Sequence, residues 1–409
     1  MKREVRIFKN TFMLIVFNIA KIVFPFITLP YLTRVFSTNT YGTVAYVKTV
    51  MSYMQIIVDF GFVLSATKDI VKIKNDKEKL EYVIGNTMVA RFIMGLIGFV
   101  ILLLLCLLLP ILRSNILYTL LSYIVVFVSI FLMDFLFRGL EIMHVITIRF
   151  VVMKVISTIL TFILVKNDSD LLLMPILDIL SSFIAIILVL YKVKKLNLKI
   201  RFSGLKNALS SIKDSFVYFL SNVASTSFNA LSTIIIGIQI SSTEVAYWSV
   251  CMQVIGSIQS CYSPISDGIY PEMIKSKDYG LIKKIVKLLL PLISLGCIMC
   301  YFLSGVVLNI LGGSEYLVAV PIFRILIPSL FFGFLSVIYG WPALGAIGKT
   351  KETTMSTVTS IVVHILLLVI LILTDSFTLV NIAIVRTLTE IVLFSIRYYY
   401  CKKYKNLFA

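Results

Sequence analysis

Twelve stretches of roughly twenty overwhelmingly apolar residues run through this chain, and nothing else in the sequence limits its fold as strongly. Crossing the hydrocarbon core of a bilayer as a helix takes about 20 apolar residues. Within that core only helices and closed barrels satisfy their own backbone donors and acceptors. The pattern predicts an all-α polytopic membrane protein with spans at 11–33, 42–65, 83–109, 115–136, 146–166, 170–190, 214–237, 244–265, 286–311, 321–344, 354–374 and 378–400. Mean hydropathy is +1.00 and only 14% of residues are charged, against about 25% in an ordinary soluble domain. A water-soluble enzyme, a disordered chain and a fibrous protein are excluded. No connecting segment is long enough for a soluble domain.

The formal net charge is +18. In a soluble protein that points to nucleic acid; between membrane spans it points to the positive-inside rule. The segments 1–10, 66–82, 137–149, 191–213, 266–285, 345–353 and 401–409 together hold 27 Lys and Arg, whereas the alternate loops hold only Arg34, Arg113 and Lys166. This asymmetry places both termini in the cytoplasm. The first span is too long for a signal-peptide core and reads as an uncleaved helix. The six cysteines, Cys297 and Cys300 included, read as packing residues, and no metal or cofactor site is expected.

Three matches share one offset. Phe12, Asn18, Ile19 and Ala20 match Phe216, Asn222, Val223 and Ala224; Val44-Ala45-Tyr46 matches Val245-Ala246-Tyr247; residues 69–74 resemble 272–277. The offsets, 201 to 204 residues, predict two pseudo-symmetric six-helix lobes, 1–200 and 201–409, joined by the basic segment 191–213. Six helices is an even number, so both lobes enter the membrane with the same orientation.

Polar side chains fall at helical spacing on the first two spans of each lobe. They are Thr11, Asn18, Lys21 and Thr28; Tyr41, Lys48, Ser52, Gln55 and Asp59; Ser215, Tyr218, Asn222, Ser225, Asn229 and Ser232; and Ser249, Gln253, Ser260, Ser263 and Asp267. Each set lies on one helix face. Taken singly, the neutral residues can simply bind helix to helix. Repeated on four related helices, they predict a shared hydrated cavity. The charges are more telling, because a Lys or Arg within a span costs several kcal/mol unless hydrated or paired. Lys21, Lys48 and Arg91 are therefore candidate substrate ligands, with Asn18, Gln55, Asn222, Asn229 and Gln253 lining the same space. Asp59 and Asp178 are candidate sites for ion coupling. Arg386 and Glu390, four apart, predict a mutual ion pair. Arg324 suits either a functional role or contact with lipid headgroups. His144 and His364 are isolated. Residues 343–350 nearly spell a nucleotide-binding loop, but the first glycine is missing and a membrane helix precedes it. No external loop is large enough to carry the catalytic residues of a membrane glycosyltransferase, polymerase or ligase.

The segment FPFITLPYLTRVFSTNTYGTVAYVKTV with DFGFVLSATKDI resembles the start of the bacterial polysaccharide-biosynthesis (Wzx-type) oligosaccharide flippases. RGLEIMHVITIR, YLVAVPIFRILIPSLFFGF and GWPALGAIGKTK resemble later blocks of the same family, in order along nearly the whole chain. The family belongs to the multidrug/oligosaccharidyl-lipid/polysaccharide exporter superfamily. The resemblance implies two lobes around a central cavity, alternating access, and transfer of undecaprenyl-pyrophosphate-linked oligosaccharide to the outer leaflet of the bacterial cytoplasmic membrane, for O-antigen or capsule. It implies membrane lipid, a polysaccharide polymerase and a chain-length regulator as partners, and no nucleic acid. Lys21 and Lys48 match the cations that such lumens carry, though as point charges rather than bidentate forks. An ion-coupled multidrug exporter of the same superfamily should instead carry cavity carboxylates. Flippases of lipid-linked peptidoglycan precursor usually have two further helices.

Overall fold

The computed structural model describes the backbone of residues 2–408, and the side chains of all of these except 2–9, 221, 224, 225 and 227–229. No β-strand occurs among the described residues. The chain divides into two compact units, Met1–Ala230 and Leu231–Ala409.

The first unit opens with α1 (Lys2–Val35), α2 (Thr38–Asp59), α3 (Phe62–Ile73) and α4 (Lys77–Leu108). Side-chain caps start two of them. Ser37 Oγ accepts from Thr40 N–H ahead of α2, and Asp76 accepts from Lys79 N–H ahead of α4. The expected span 42–65 is broken, because Phe60 and Gly61 take left-handed φ values of 38° and 81° and end α2. A Cβ on Gly61 would lie 2.6 Å from Tyr218 Cβ and 2.8 Å from Ser215 O, so both its dihedral and its close neighbour require glycine. Then come α5 (Pro110–Ser114), α6 (Ile116–Val128), a 3₁₀ turn Ser129–Leu132, α7 (Asp134–Gly139), α8 (Met143–Leu164) and α9 (Leu173–Lys195). The span expected at 115–136 is thus kinked at the 3₁₀ turn and at Met133, whose φ is 49°. Ile70, Ile84, Phe135, Leu136, Phe137 and Val189 form the apolar core of this unit. α10 (Leu205–Gln239) is fastened to α3 by Ser215, whose hydroxyl lies 2.6 Å from that of Ser65.

The second unit takes the end of α10 and continues with α11 (Ser242–Ser260), α12 (Tyr262–Ser276), α13 (Tyr279–Phe302), α14 (Ser304–Gly312), α15 (Val320–Leu326) and α16 (Pro328–Ile338). A π-helical turn, Tyr339–Gly345, leads to α17 (Thr350–Leu373) and α18 (Leu379–Lys403). Its core gathers Met273, Ile282, Phe334, Ile338 and Leu344. The order of breaks echoes the first unit. Thr38 and Ser242 open α2 and α11, 204 residues apart, each after a capping serine. Lys77 and Tyr279 open α4 and α13, 202 residues apart, each after a capping aspartate.

Among the described residues ten helical segments are long and apolar enough to cross a membrane. Of the two expected spans not among them, 214–237 includes residues outside the described ones, and 244–265 is split at Cys261 between α11 and α12. On α13, Leu288, Leu292, Leu295, Ile298 and Phe302 stand exposed along one face. In water such a surface would be an aggregation site; against acyl chains it is the expected lipid-facing surface. One detail of the loop reading changes. The segment 137–149 is largely helical, and Arg149 is a buried residue of α8 rather than a loop charge.

Candidate functional site

The interior of the first unit concentrates cations. Asp59, the last residue of α2, receives Arg91 of α4, whose Nη2 lies 2.5 Å from Asp59 Oδ1. Gln55, one turn earlier on α2, donates to Asp59 Oδ2 at 2.9 Å and to Ser129 Oγ at 3.0 Å. Arg91 is 4% exposed, and its Nη1 donates to Ile130 O at 3.1 Å. Nearby, Arg149 Nη2 lies 2.8 Å from Asp134 Oδ1, and Nη1 reaches Leu132 O at 3.4 Å. Two guanidinium groups thus read carbonyls of one 3₁₀ turn. The kink at Met133 supplies those acceptors, since a continuous helix would have used them internally. Arg91 and Arg149 are close enough to act on each other electrostatically.

Lys21 and Lys48 differ from these arginines: neither makes an ion pair among the described residues, and both are exposed. Lys21 Nζ sits 4.4 Å from the centroid of the Phe17 ring, and its charged neighbours are Arg138 and Asp134. Among the described residues Arg138 also makes no ion pair, and its buried Nε has no hydrogen-bond partner there. Lys48 faces Lys154 and Asp178. Asp178 is itself engaged, accepting from Ser157 Oγ at 2.7 Å and lying 3.4 Å from Lys154 Nζ. The six cations Lys21, Lys48, Arg91, Arg138, Arg149 and Lys154 therefore share three carboxylates, Asp59, Asp134 and Asp178. Lys21, Lys48 and Arg138 carry the excess. Such an arrangement suits an anion, since each unpaired cation either keeps water or takes a counter-charge.

Of the residues singled out by the sequence, Gln55, Asp59 and Arg91 are brought into direct contact, and Lys48 is placed beside Asp178. Lys21 stands apart, with exposed Asn18 three residues before it on α1. Asn222 is half-buried on α10, and Gln253 Nε2 lies 3.4 Å from Ser257 Oγ on α11. The side chain of Asn229 lies outside the described residues. Sequence reasoning passes over Lys154, although it is a lone cation in an apolar span and meets the same criterion as Lys21. Arg149 is missed because its segment reads as a loop.

The second unit holds its charges differently. Arg386 and Glu390 form the expected pair at 3.0 Å, and both are buried. Arg397 is held by neutral groups, namely Ser336 O at 2.6 Å, Ser356 Oγ at 3.1 Å and Thr357 Oγ1 at 2.9 Å. Gly340 leaves room for it, since a Cβ there would lie 2.8 Å from Arg397 Nη1. Arg324 Nε donates to Ser304 Oγ at 2.9 Å, with its guanidinium 4.9 Å from the Tyr301 ring.

Two solved structures share the fold. An inward-facing multidrug resistance MATE family transporter of the MOP superfamily aligns with a TM-score of 0.69 at 15% identity, over 96% of this chain and 95% of its own. The lipid II flippase MurJ, in an inward closed conformation, aligns with a TM-score of 0.69 at 15% identity, over 97% of this chain and 87% of its own. Among sequences, a protein of Shigella dysenteriae named "Putative O-antigen transporter" is 28% identical over 274 residues, 66% of this chain and 68% of that protein. A protein of the same name from Escherichia coli (strain K12) is 25% identical over 412 residues, 98% of this chain and 97% of that protein. The model of the polysaccharide biosynthesis protein family matches residues 7–277, and the chain belongs to that family.

Proposed function

We propose that this protein is a flippase of the bacterial cytoplasmic membrane. It moves undecaprenyl-pyrophosphate-linked oligosaccharide units from the inner to the outer leaflet by alternating access, for surface polysaccharide assembly. The observation that carries the reading is the unpaired positive charge of Lys21, Lys48 and Arg138 inside a unit built of apolar helices. Family membership and two relatives named as O-antigen transporters support it. The substrate head is a pyrophosphate bearing sugars, and hydrocarbon cannot replace its hydration. Lysines offset the phosphate charge, while Asn18, Gln55, Asn222, Asn229 and Gln253 exchange hydrogen bonds with sugar hydroxyls. Arg91, already neutralised by Asp59, acts on the substrate through the shape of the site rather than through net charge. The polyprenyl tail stays in lipid throughout.

Asp59 and Asp178, each tied to one cation, are the carboxylates through which an ion gradient is coupled in this reading. Both termini lie in the cytoplasm, and the transported units pass to a polymerase working with a chain-length regulator. The fold alone does not separate this role from drug export, since a drug exporter and a lipid flippase align equally well. The sign of the interior charge favours the flippase reading, because a site for cationic drugs needs an excess of carboxylate. The test is reconstitution in liposomes with a fluorescent lipid-linked oligosaccharide in one arm and a cationic dye in the other. Protein-dependent movement of the glycolipid alone is expected; movement of the dye alone overturns the proposal.

A further inference from the structure

His364 of α17 is 1% exposed and sits between two hydroxyls on two other helices. Its Nε2 lies 3.0 Å from Ser232 Oγ of α10, and its Nδ1 lies 2.9 Å from Thr389 Oγ1 of α18. Both hydroxyls are buried, Ser232 at 2% exposed and Thr389 at 0%. The direction of each bond follows from the network. Thr389 spends its one hydrogen on Val385 O, 2.7 Å away, so its oxygen accepts from Nδ1–H. A ring protonated on Nδ1 has Nε2 free as acceptor, and Ser232 donates to it. The geometry therefore describes a neutral imidazole in a single tautomer, clasping three helices.

We propose that His364 Nε2 is a proton-binding site, and that proton uptake there releases the end of α10 from α17 and α18. A proton from water would bind the Nε2 lone pair, giving an imidazolium with two N–H donors and no acceptor. Ser232 can then no longer donate to the ring, and the α10 bond survives only if the hydroxyl turns to accept from Nε2–H and finds another acceptor for its own hydrogen. The new charge also needs a counter-ion. Arg386 of α18 is its near charged neighbour, and the carboxylate of Glu390 is committed to Arg386 at 3.0 Å. Gln259 of α11 reaches the same carboxylate at 3.5 Å. The neighbouring helical stretches add no acid. Residues 215–239 of α10, 353–374 of α17, 245–260 of α11 and 328–338 of α16 contain no Asp, Glu, Lys or Arg. On α15 the charged residue is Arg324, and further along α18 they are Arg397, Lys402 and Lys403, all cations. A buried cluster that is neutral with the ring unprotonated thus gains a positive charge beside Arg386, which favours opening and water entry.

The site stands on this geometry alone. Its use in driving transport rests on the flippase reading, and would give the second unit a proton site of its own, separate from the carboxylates of the first. The chain has only two histidines, so ring-¹⁵N-histidine labelling of a His144→Asn variant in lipid nanodiscs reports on His364 by itself. At about pH 8 the expected spectrum is a neutral ring carrying its proton on Nδ1, converting to imidazolium only as pH falls below about 5. Amide hydrogen exchange of residues 231–239, compared at each pH with a His144→Asn/His364→Gln protein, should rise roughly threefold over the same range only when His364 is present. A ring that stays neutral throughout, or an equal rise without His364, overturns the proposal. If the Gln variant does not insert, the ring titration decides by itself. A ring that titrates and loosens α10 in a protein that moves no lipid-linked glycan keeps the proton site and removes the transport reading.

Discussion

Arg91 Nη2 and Asp59 Oδ1 lie 2.5 Å apart, closing the end of α2 onto the middle of α4. The pair joins a guanidinium that is 4% exposed to a carboxylate that is 24% exposed, so its value lies less in net attraction than in the cost of breaking it. Removing one partner of a buried pair leaves the other charge uncompensated, which costs about 3–5 kcal/mol when both are fully buried. Asp59→Asn should therefore lower stability in detergent by about 2 kcal/mol, discounted for the open side of Asp59. Arg91→Met added to Asp59→Asn should recover part of that loss. Thermal unfolding of the four proteins closes the cycle; additive effects would show that the two residues are not coupled.

Gly61 tests the break between α2 and α3. Its φ of 81° and the 2.6 Å approach that a Cβ would make to Tyr218 Cβ act in the same direction. Gly61→Ala should cost roughly 2–3 kcal/mol, from the strained dihedral and the displaced α10 backbone together. Gly204 also has a positive φ, 117°, but a Cβ there meets nothing within 4 Å. Gly204→Ala should cost only the dihedral part, about 1 kcal/mol. Equal losses at the two positions, measured by unfolding in detergent, would contradict the packing around Gly61.

Reporter fusions after residues 39, 113, 168, 241, 314 and 376 should all read as external. The charge bias between alternate segments motivates this prediction. It survives the reassignment of Arg149 to a buried ion pair, because removing one cation from 27 leaves the asymmetry intact. Two or more cytoplasmic readings would sink the topology.

The common offset of the repeats predicts that Asn18 and Asn222 are equivalent positions. Cysteines placed at either one, in a background with the six native cysteines replaced, should react with a membrane-impermeant maleimide and be protected by lipid-linked oligosaccharide. A cysteine at Ile187, a residue 66% exposed on the outside of α9, should not be protected by it. Protection at none of the three would remove the cavity assignment.

Much of this architecture was legible because a bilayer imposes a simple rule: apolar runs of a fixed length become helices. What composition did not reveal is where those helices break. The breaks at Gly61, Met133 and Cys261 fall inside expected spans, because apolar sequence alone does not report a left-handed residue or a 3₁₀ turn. The pairing of Arg386 with Glu390 was readable from local spacing, whereas Arg91 with Asp59 and Arg149 with Asp134 join different helices. Lys154 and Arg397 needed no structure to be noticed, being cations in apolar spans. What they bind did need one: Asp178 for the first, and a carbonyl with two hydroxyls for the second. The clasp around His364 was not legible at all, since its partners lie 132 and 25 residues away and are ordinary hydroxyls.

In the flippase reading, the unpaired positive charge of the first unit receives the anionic head of the substrate. The most direct measurement is flipping of lipid-linked oligosaccharide in liposomes by Lys21→Gln, Lys21→Arg, Lys48→Gln and Lys48→Arg proteins at matched reconstituted amounts. Each Gln replacement keeps a polar side chain of similar reach but removes the charge, and should reduce the rate by about tenfold or more, equivalent to about 1.4 kcal/mol of lost stabilisation. Each Arg replacement should retain a substantial part of the activity, since charge rather than ammonium geometry is the requirement. If Gln works as well as Lys at both positions, charge is not what the site supplies and the pyrophosphate role of these lysines is wrong.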